Sequence, residues 1–248
     1  MPEWMREYFE RGYGQRFALD PPSTVTRADV DCFWRLLCLK TDDPLLDIGC
    51  GHGRYAIAFQ QRGGVVTGLD LAATLLGRAH RLARDAGVAA SWVRGDMRRL
   101  PFVPQSFQAA VSLDAFGFFE SEEENAAVLR EVARVLTPAG RLILKVVNAE
   151  PLIAHFRPTD REERAGTLLE ISRALTRNPA WLIERITIRS AEGGGHYQRR
   201  QRLYCAEEIS ALLRSADLIV KDVVSSPRGD KFEPHQSPSM VVVGERAA

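Results

Sequence analysis

Hydrophobic and polar positions change rhythm three times along the chain. Residues 2–11 predict a short, aromatic-rich helix, broken by Gly12 and Gly14. Pro21-Pro22-Ser23-Thr24 reads as a loop, with Thr24 or Thr26 capping a helix over 27–39. Val30, Phe33, Trp34, Leu37 and Cys38 recur there at helical spacing. After Pro44, short apolar runs alternate with amphipathic stretches. The runs predict strands over 45–48, 65–69, 91–94, 108–113 and 142–147. The stretches predict helices over 54–62, 72–86 and 122–136, stopped by Gly63-Gly64, by Gly87 and by the Pro138/Gly140 turn. A helix over 206–215 and strands over 218–224 and 239–243 complete this part. Strands alternating with helices imply right-handed crossovers and a doubly wound α/β fold, its parallel sheet covered on both faces.

Between 149 and 204 the rhythm differs. Three extended stretches are predicted, over 167–174, 181–189 and 196–204. Ile186 and Ile188 alternate with Arg185, Thr187 and Arg189, as on a strand with one wet face. Thr176-Arg177-Asn178-Pro179 and Glu192-Gly193-Gly194-Gly195 read as turns between them. The segment reads as an antiparallel β lid inserted into the parallel fold.

Composition narrows the class. A chain of 248 residues, 45% hydrophobic, is long enough to bury a core without disulfides or metal. The formal net charge of +1, from 33 basic and 32 acidic residues, weighs against binding nucleic acid by bulk electrostatics. Lysine stands only at 40, 145, 221 and 231, a bias toward arginine that carries no function. No apolar run reaches the ~18 residues of a membrane helix, and the N-terminus has no apolar signal core. The four cysteines form no CxxC pair and no metal cluster, so no metal is expected and the cytoplasm is the simplest compartment.

The strongest chemical signal is Leu45-Leu46-Asp47-Ile48-Gly49-Cys50-Gly51-His52-Gly53-Arg54. A glycine-rich turn joins the first strand to the first helix, at the carboxyl end of the sheet where α/β folds bind ligands. Its spacing is GxGxG, with an acid two residues ahead. The nicotinamide fingerprint is GxGxxG, and an acid at the entrance suits a cationic ligand better than a diphosphate. Asp70 closes the second strand, where a carboxylate can accept both ribose hydroxyls or can cap the next helix. Asp96 closes the third, as a ligand-reading acid or a solvated turn carboxylate beside Arg98 and Arg99. Three acids at three successive strand ends are far more specific than any one.

With these residues the chain resembles the class I methyltransferases that use S-adenosylmethionine (SAM). The likeness covers 45–147 and extends more weakly to both ends. It is nearest to small-molecule methyltransferases with an N-terminal arm and a β lid. Phe116-Gly117-Phe118-Phe119-Glu120 and Arg202-Leu203-Tyr204 fit that subgroup. Leu100-Pro101-Phe102 and Leu136-Thr137-Pro138-Ala139-Gly140 fit the segments around the fourth and fifth strands, although Ala139 stands where the family usually has glycine. The resemblance implies a Rossmann-like, seven-stranded, mostly parallel sheet of order 3-2-1-4-5-7-6. It implies one domain: an arm and helix over 1–41, a SAM-binding core over 42–148 and 204–245, and a lid over 149–203. It implies cofactor contacts from Asp47, Gly49, Cys50, Gly51, Gly53, Asp70, Leu71, Asp96, Met97 and Leu113, with Tyr13 and Arg16 covering the methionine end. His52 is expected to point outward.

The implied reaction is in-line methyl transfer from SAM to an O, N or other nucleophile of a small molecule, which needs alignment and exclusion of water. Candidates for a general base are Asp114, His155, Tyr8, Tyr13 and Tyr204, each with an ordinary packing or capping role as the alternative. Phe116, Phe118, Phe119, Phe156 and Trp181 either line an apolar acceptor pocket or glue the lid to the core. Arg199-Arg200-Gln201-Arg202 is a basic run whose members split between the faces of a strand. An RNA or protein methyltransferase, a non-catalytic SAM-binding sensor or partner subunit, and a nicotinamide oxidoreductase remain as alternatives. The chain is expected as a monomer or a homodimer, off the membrane.

Overall fold

Leu45 and Leu46 are sequence neighbours, and both are fully buried, on opposite faces of one strand. Leu46, Ala110, Leu142, Leu144 and Val242 face one apolar layer, while Leu45, Ala109, Val111, Ile143 and Val241 face the other. A sheet apolar on both faces needs helices on both faces. The computed structural model describes residues 3–13, 23–164, 166–191 and 193–247. Its strands run β1 (Pro44–Ile48), β2 (Val65–Asp70), β3 (Ser91–Arg94), β4 (Phe107–Leu113) and β5 (Leu136–Val147). Then come β6 (Thr159–Arg164), β7 (Thr167–Arg177), β8 (Ala180–Ser190), β9 (Gly193–Arg202), β10 (Leu218–Val224) and β11 (Ser239–Arg246).

The central sheet is ordered β3-β2-β1-β4-β5-β11-β10. Only β11 runs antiparallel, to both β5 and β10. This is the expected 3-2-1-4-5-7-6 order. The helices are α1 (Glu3–Glu7), which continues into a π-helical turn (Tyr8–Gly12), α2 (Ser23–Leu36), α3 (Arg54–Arg62), α4 (Ala73–Asp85), α5 (Glu122–Val135), α6 (Ala149–Ala154) and α7 (Ala206–Ser215). α2 and α3 cover one face through Phe33, Trp34 and Phe59; α5 and α7 cover the other through Val128, Leu129, Ile209 and Leu213.

Several local expectations are adjusted. Thr24 and Thr26 lie inside α2, which begins a turn earlier than expected, so neither caps it. β5 already starts at Leu136, and the expected turn at Pro138 and Gly140 is a bend within it: Ala139 sits at φ +59°, and the register against β4 slips between Phe107 and Ala109. The lid has four strands, ordered β6-β7-β8-β9. β6 is Thr-Asp-Arg-Glu-Glu-Arg, without apolar alternation, and is recruited by pairing along β7. Gly193–Gly195 belong to β9 and pair with Ser190–Ile188 rather than forming a loop.

The arm is clamped between lid and core. Tyr8 is wholly buried against Leu169, Ile171, Ile186 and Ile188 of the lid. On the other side, Glu10 caps α4. Its carboxylate accepts from the N–H groups of Ala73 (3.0 Å) and Thr74 (3.2 Å), and its carbonyl accepts from the Thr74 hydroxyl (2.8 Å). A carboxylate at a helix N-terminus meets both orphan donors and the helix dipole. Burial opposes ionisation of Glu10, but these bonds, with the charge of Arg94, hold it below the usual carboxylate range. Glu10→Ala should cost about 1 kcal/mol of stability, the usual size of a lost cap. Differential scanning calorimetry would read that loss. Limited proteolysis should cut the arm faster while the core stays protected; an unchanged cleavage rate would contradict the clamp.

Candidate functional site

The carboxyl ends of β1, β2 and β4 converge on one crevice, and a single carbonyl organises it. Leu69 O, near the end of β2, accepts from the N–H of Gly49 (2.8 Å) and of Cys50 (3.0 Å), folding the turn after β1 against β2. Gly49 sits at φ +72°, and a Cβ there would lie 2.4 Å from the Cβ of Ala115. No other residue fits. Asp70 closes the arrangement: its Oδ2 accepts from Gly51 N–H (2.8 Å) and its Oδ1 from Ala72 N–H (2.9 Å). Gly53 has a different role. It opens α3 at φ +82°, and a Cβ there would meet the Trp92 ring at 2.4 Å. It serves packing and does not border the crevice.

The crevice holds about 1120 Å³ of free space, part of it open to solvent. Of the expected cofactor residues, Asp47, Gly49, Cys50, Gly51, Asp70, Leu71, Asp96, Met97, Leu113 and Tyr13 all border it. Arg16 lies outside the described residues. His52 is corrected: it is buried and lines the crevice rather than pointing outward. The local pattern offered little sign of Met5, Phe9, Arg54, Tyr55, Leu75 or Arg199, which also border it.

The electrostatics favour a cation. Asp47 is 3% exposed, and burial, then repulsion from Asp70, pushes its pKa up to about 7; the Ala56 N–H and Arg54 pull it partly back. Of the buried side-chain polar atoms without a hydrogen-bond partner among the described residues, Asp47 Oδ2 is the one that belongs to a residue bordering the crevice. Burial raises Asp70 as well, against its bonds to Ala72 and Gly51. Burial opposes ionisation of Asp96 too, but Arg98 prevails and holds it below its usual range. Arg98 lies 2.6 Å from Asp96 and over the Phe119 ring at 4.5 Å. Burial keeps the Cys50 thiol protonated. Among the described residues no cluster of His, Cys, Asp and Glu has a metal-binding arrangement. A buried carboxylate with one oxygen unpartnered, beside a cradle of glycines, fits SAM, whose sulfonium and ammonium are both cationic.

The candidate bases separate. Asp114 and Tyr13 border the crevice. Asp114 sits at φ +60° just after β4, and Lys145 Nζ donates to its Oδ2 at 2.5 Å. Tyr204 is buried elsewhere. Its hydroxyl donates to Glu122 (3.1 Å), and burial, then Glu122, raises its pKa strongly. Tyr8 is sealed beneath the lid, and His155 is exposed at the end of α6. The aromatics divide likewise. Phe118 and Phe119 line the crevice. Phe116 packs on Tyr204 with ring centroids 5.8 Å apart, Phe156 packs among Leu182 and Leu203, and Trp181 lies under Arg200 at 4.0 Å.

Comparison with known proteins agrees with this geometry. Residues 45–140 match the family model of a methyltransferase domain. A probable tRNA methyltransferase 9B from Bos taurus is 33% identical over 122 residues, 49% of this chain, and the match spans about a quarter (25%) of that relative's length. A demethylmenaquinone methyltransferase from Corynebacterium kroppenstedtii is 29% identical over 165 residues, 64% of this chain and 68% of the relative. The crystal structure of an S-adenosylmethionine-dependent methyltransferase from Clostridium acetobutylicum superposes with a TM-score of 0.79 at 15% identity, covering 98% of this chain and 99% of the other. It shares the fold, lid included in the coverage.

Asp47 yields a test with a definite sign. The native state keeps its proton up to about pH 7, whereas an unfolded Asp releases it near pH ~4. Between those values the native state binds more protons, so this group makes stability fall as pH rises, levelling off above about 7. Asp47→Asn should therefore raise Tm by roughly 3–8 °C at about pH 8 and leave it little changed near pH 4. The same substitution should weaken SAM binding and flatten its rise with pH. Thermal scans and titration calorimetry across that range check both effects.

Proposed function

We propose that this chain, which carries a class I SAM-dependent methyltransferase domain with SAM as its cofactor, transfers the methyl of SAM to a nucleophilic atom of a small molecule. The observation that carries the reading is the crevice itself: a buried carboxylate with one oxygen unpartnered, Asp47, and a second acid, Asp70, flank a glycine turn at the ends of β1 and β2. When bound, SAM supplies an activated methyl on a sulfonium, so the protein's task is alignment and exclusion of water.

Each residue has a part in that task. Asp47 offers its free oxygen to the cationic end of the cofactor. Asp70, fixed by two backbone N–H groups, presents its remaining lone pairs to the ribose hydroxyls. Asp96 and Met97 read and pack the adenine. Tyr13 on the arm, with Arg16 beside it in sequence, covers the methionine end. Phe118 and Phe119 exclude water from the acceptor side. Asp114, fixed by Lys145, is the side chain we assign to orient the acceptor and take its proton where it has one to lose. The chain is read as one domain, with 1–41 as arm and helix, 42–148 and 204–245 as core and 149–203 as lid.

The small-molecule reading draws support from the demethylmenaquinone methyltransferase, which covers more than half of both chains. The likeness to a tRNA methyltransferase keeps an RNA acceptor as the second reading. RNA retained through purification and lost steeply with added salt would favour it. Four free cysteines accord with a reducing cytoplasm. No helix among the described residues is long and apolar enough to cross a membrane.

Asp70→Ala is expected to abolish measurable SAM binding in calorimetry while circular dichroism shows the fold retained. Wild-type affinity in that variant would overturn the site assignment.

A further inference from the structure

We infer that Arg199 is an anchor for an anionic group of the methyl acceptor, so that the acceptor carries a carboxylate or phosphate on an apolar, aromatic-sized body. This inference rests on the methyltransferase reading above.

The lid sheet has one face turned to the core. On it lie Leu169 and Ile171 of β7, Ile188 and Ile186 of β8, and Tyr197 of β9, closed over the arm. The next row on the same face is ionic. Arg173, Glu184 and Arg199 stand directly opposite one another across β7, β8 and β9. Glu184 is 2% exposed and bonded from both sides: Arg173 Nε at 2.9 Å, and Arg199 Nε. Arg173 extends the row to Asp160 at 3.1 Å. Burial opposes ionisation of Glu184, but the two guanidiniums keep it below its usual range.

A charged ladder on an otherwise apolar inward face is weak evidence of stability, because desolvation offsets the attraction. Its geometry points to another use. The ladder ends on Arg199, whose side chain borders the crevice. Glu184 occupies Nε and so fixes the plane of the guanidinium. Neither terminal nitrogen, Nη1 or Nη2, has a hydrogen-bond partner among the described residues. The Phe118 ring lies beneath the guanidinium carbon at 5.9 Å, and Phe9 stacks edge-on against Phe118 at 5.3 Å. The rest of the crevice is acidic, with Asp47, Asp70, Asp96 and Asp114 bordering it. The other arginine bordering it, Arg54, is turned toward Tyr55 and Thr26. A pre-oriented fork with both terminal nitrogens unspent is the donor set that recognises an oxyanion. It stands over the Phe118 ring, on the acceptor side of the crevice as read above, and not at the glycine turn. Arg199 is thus a specificity-determining residue.

The test uses the full chain saturated with S-adenosylhomocysteine and three probes of one shape: phenylacetate, phenyl phosphate and the neutral phenylacetamide. Titration calorimetry should show binding of at least one anion and none, or much weaker binding, of the amide. Arg199→Ala should weaken that anion by roughly tenfold or more, with Arg199→Lys intermediate. Both variants should keep wild-type affinity for S-adenosylhomocysteine, which also shows that they fold. The comparison of phenylacetate with phenyl phosphate tells carboxylate from phosphate. Equal binding of anion and amide, no binding of either anion, or anion binding indifferent to Arg199 overturns the inference. A variant that loses S-adenosylhomocysteine in step with the anion would reassign Arg199 to the cofactor. If the wild-type chain does not bind S-adenosylhomocysteine at all, the methyltransferase reading has failed, and not this inference alone.

Discussion

One carbonyl oxygen, that of Leu69, holds the two halves of the site together. By accepting from both Gly49 and Cys50 it ties the end of β1 to the end of β2. The two strands are already in parallel register, with Asp47 opposite Gly68 and Ile48 opposite Leu69. Folding the turn over that carbonyl brings Asp70 close enough for its charge to be felt by Asp47. The constraint propagates outward. Gly49 must pass Ala115, so the loop after β4 is seated against the turn. Gly68 and Gly53 leave room for the Trp92 ring, so β3 closes the far side.

The core was legible in the sequence because its signals are local. Apolar runs, helix stops and glycine spacing each fit within about ten residues. The helix over 54–62, the strands over 91–94 and 218–224 and the helix over 206–215 appear at the expected bounds. Asp70 closes β2, Asp47 stands just before the end of β1 and Asp96 just past the end of β3. What escaped notice depends on partners far along the chain. Glu10 caps a helix whose first turn lies 63 residues later. β6 carries no apolar alternation and becomes a strand only because β7 offers a free edge. Glu184 lies between Ile183 and Arg185, where nothing marks it as inward-facing until the register places it between two arginines. His52 differs for the opposite reason: a polar residue in a glycine turn suggests exposure, but Tyr13 of the arm and Ala115 after β4 pack against this turn.

Stability and function pull against each other at the strand ends. An apolar residue in place of Asp47 would relieve a buried, unsatisfied oxygen, the kind of defect that costs about 1–3 kcal/mol. Its neighbours on the same strand, Leu45, Leu46 and Ile48, are fully buried and apolar. The sheet thus supplies a rigid, well-packed frame that can carry one destabilising carboxylate. A cationic ligand relieves the defect where the protein itself does not.

The lid's last strand explains why several attractive side chains are unavailable for chemistry. Arg202 N–H donates to Gly117 O at 2.7 Å, and Gln201 donates to Phe116 O at 3.1 Å, stitching β9 to the loop after β4. Arg202 is 6% exposed and engages Glu122 and Glu208, while Tyr204 donates to the same Glu122. Tyr204, Phe116 and Arg202 therefore fix the root of the lid, committed to one another. Alternation along β9 then decides what remains. With Arg202 and Arg200 directed to one side, Arg199 and Gln201 face the other, Gln201 at the loop and Arg199 at the crevice. Fixing the root at Gly117 fixes the register, and the register leaves one guanidinium of the basic run in reach of a ligand.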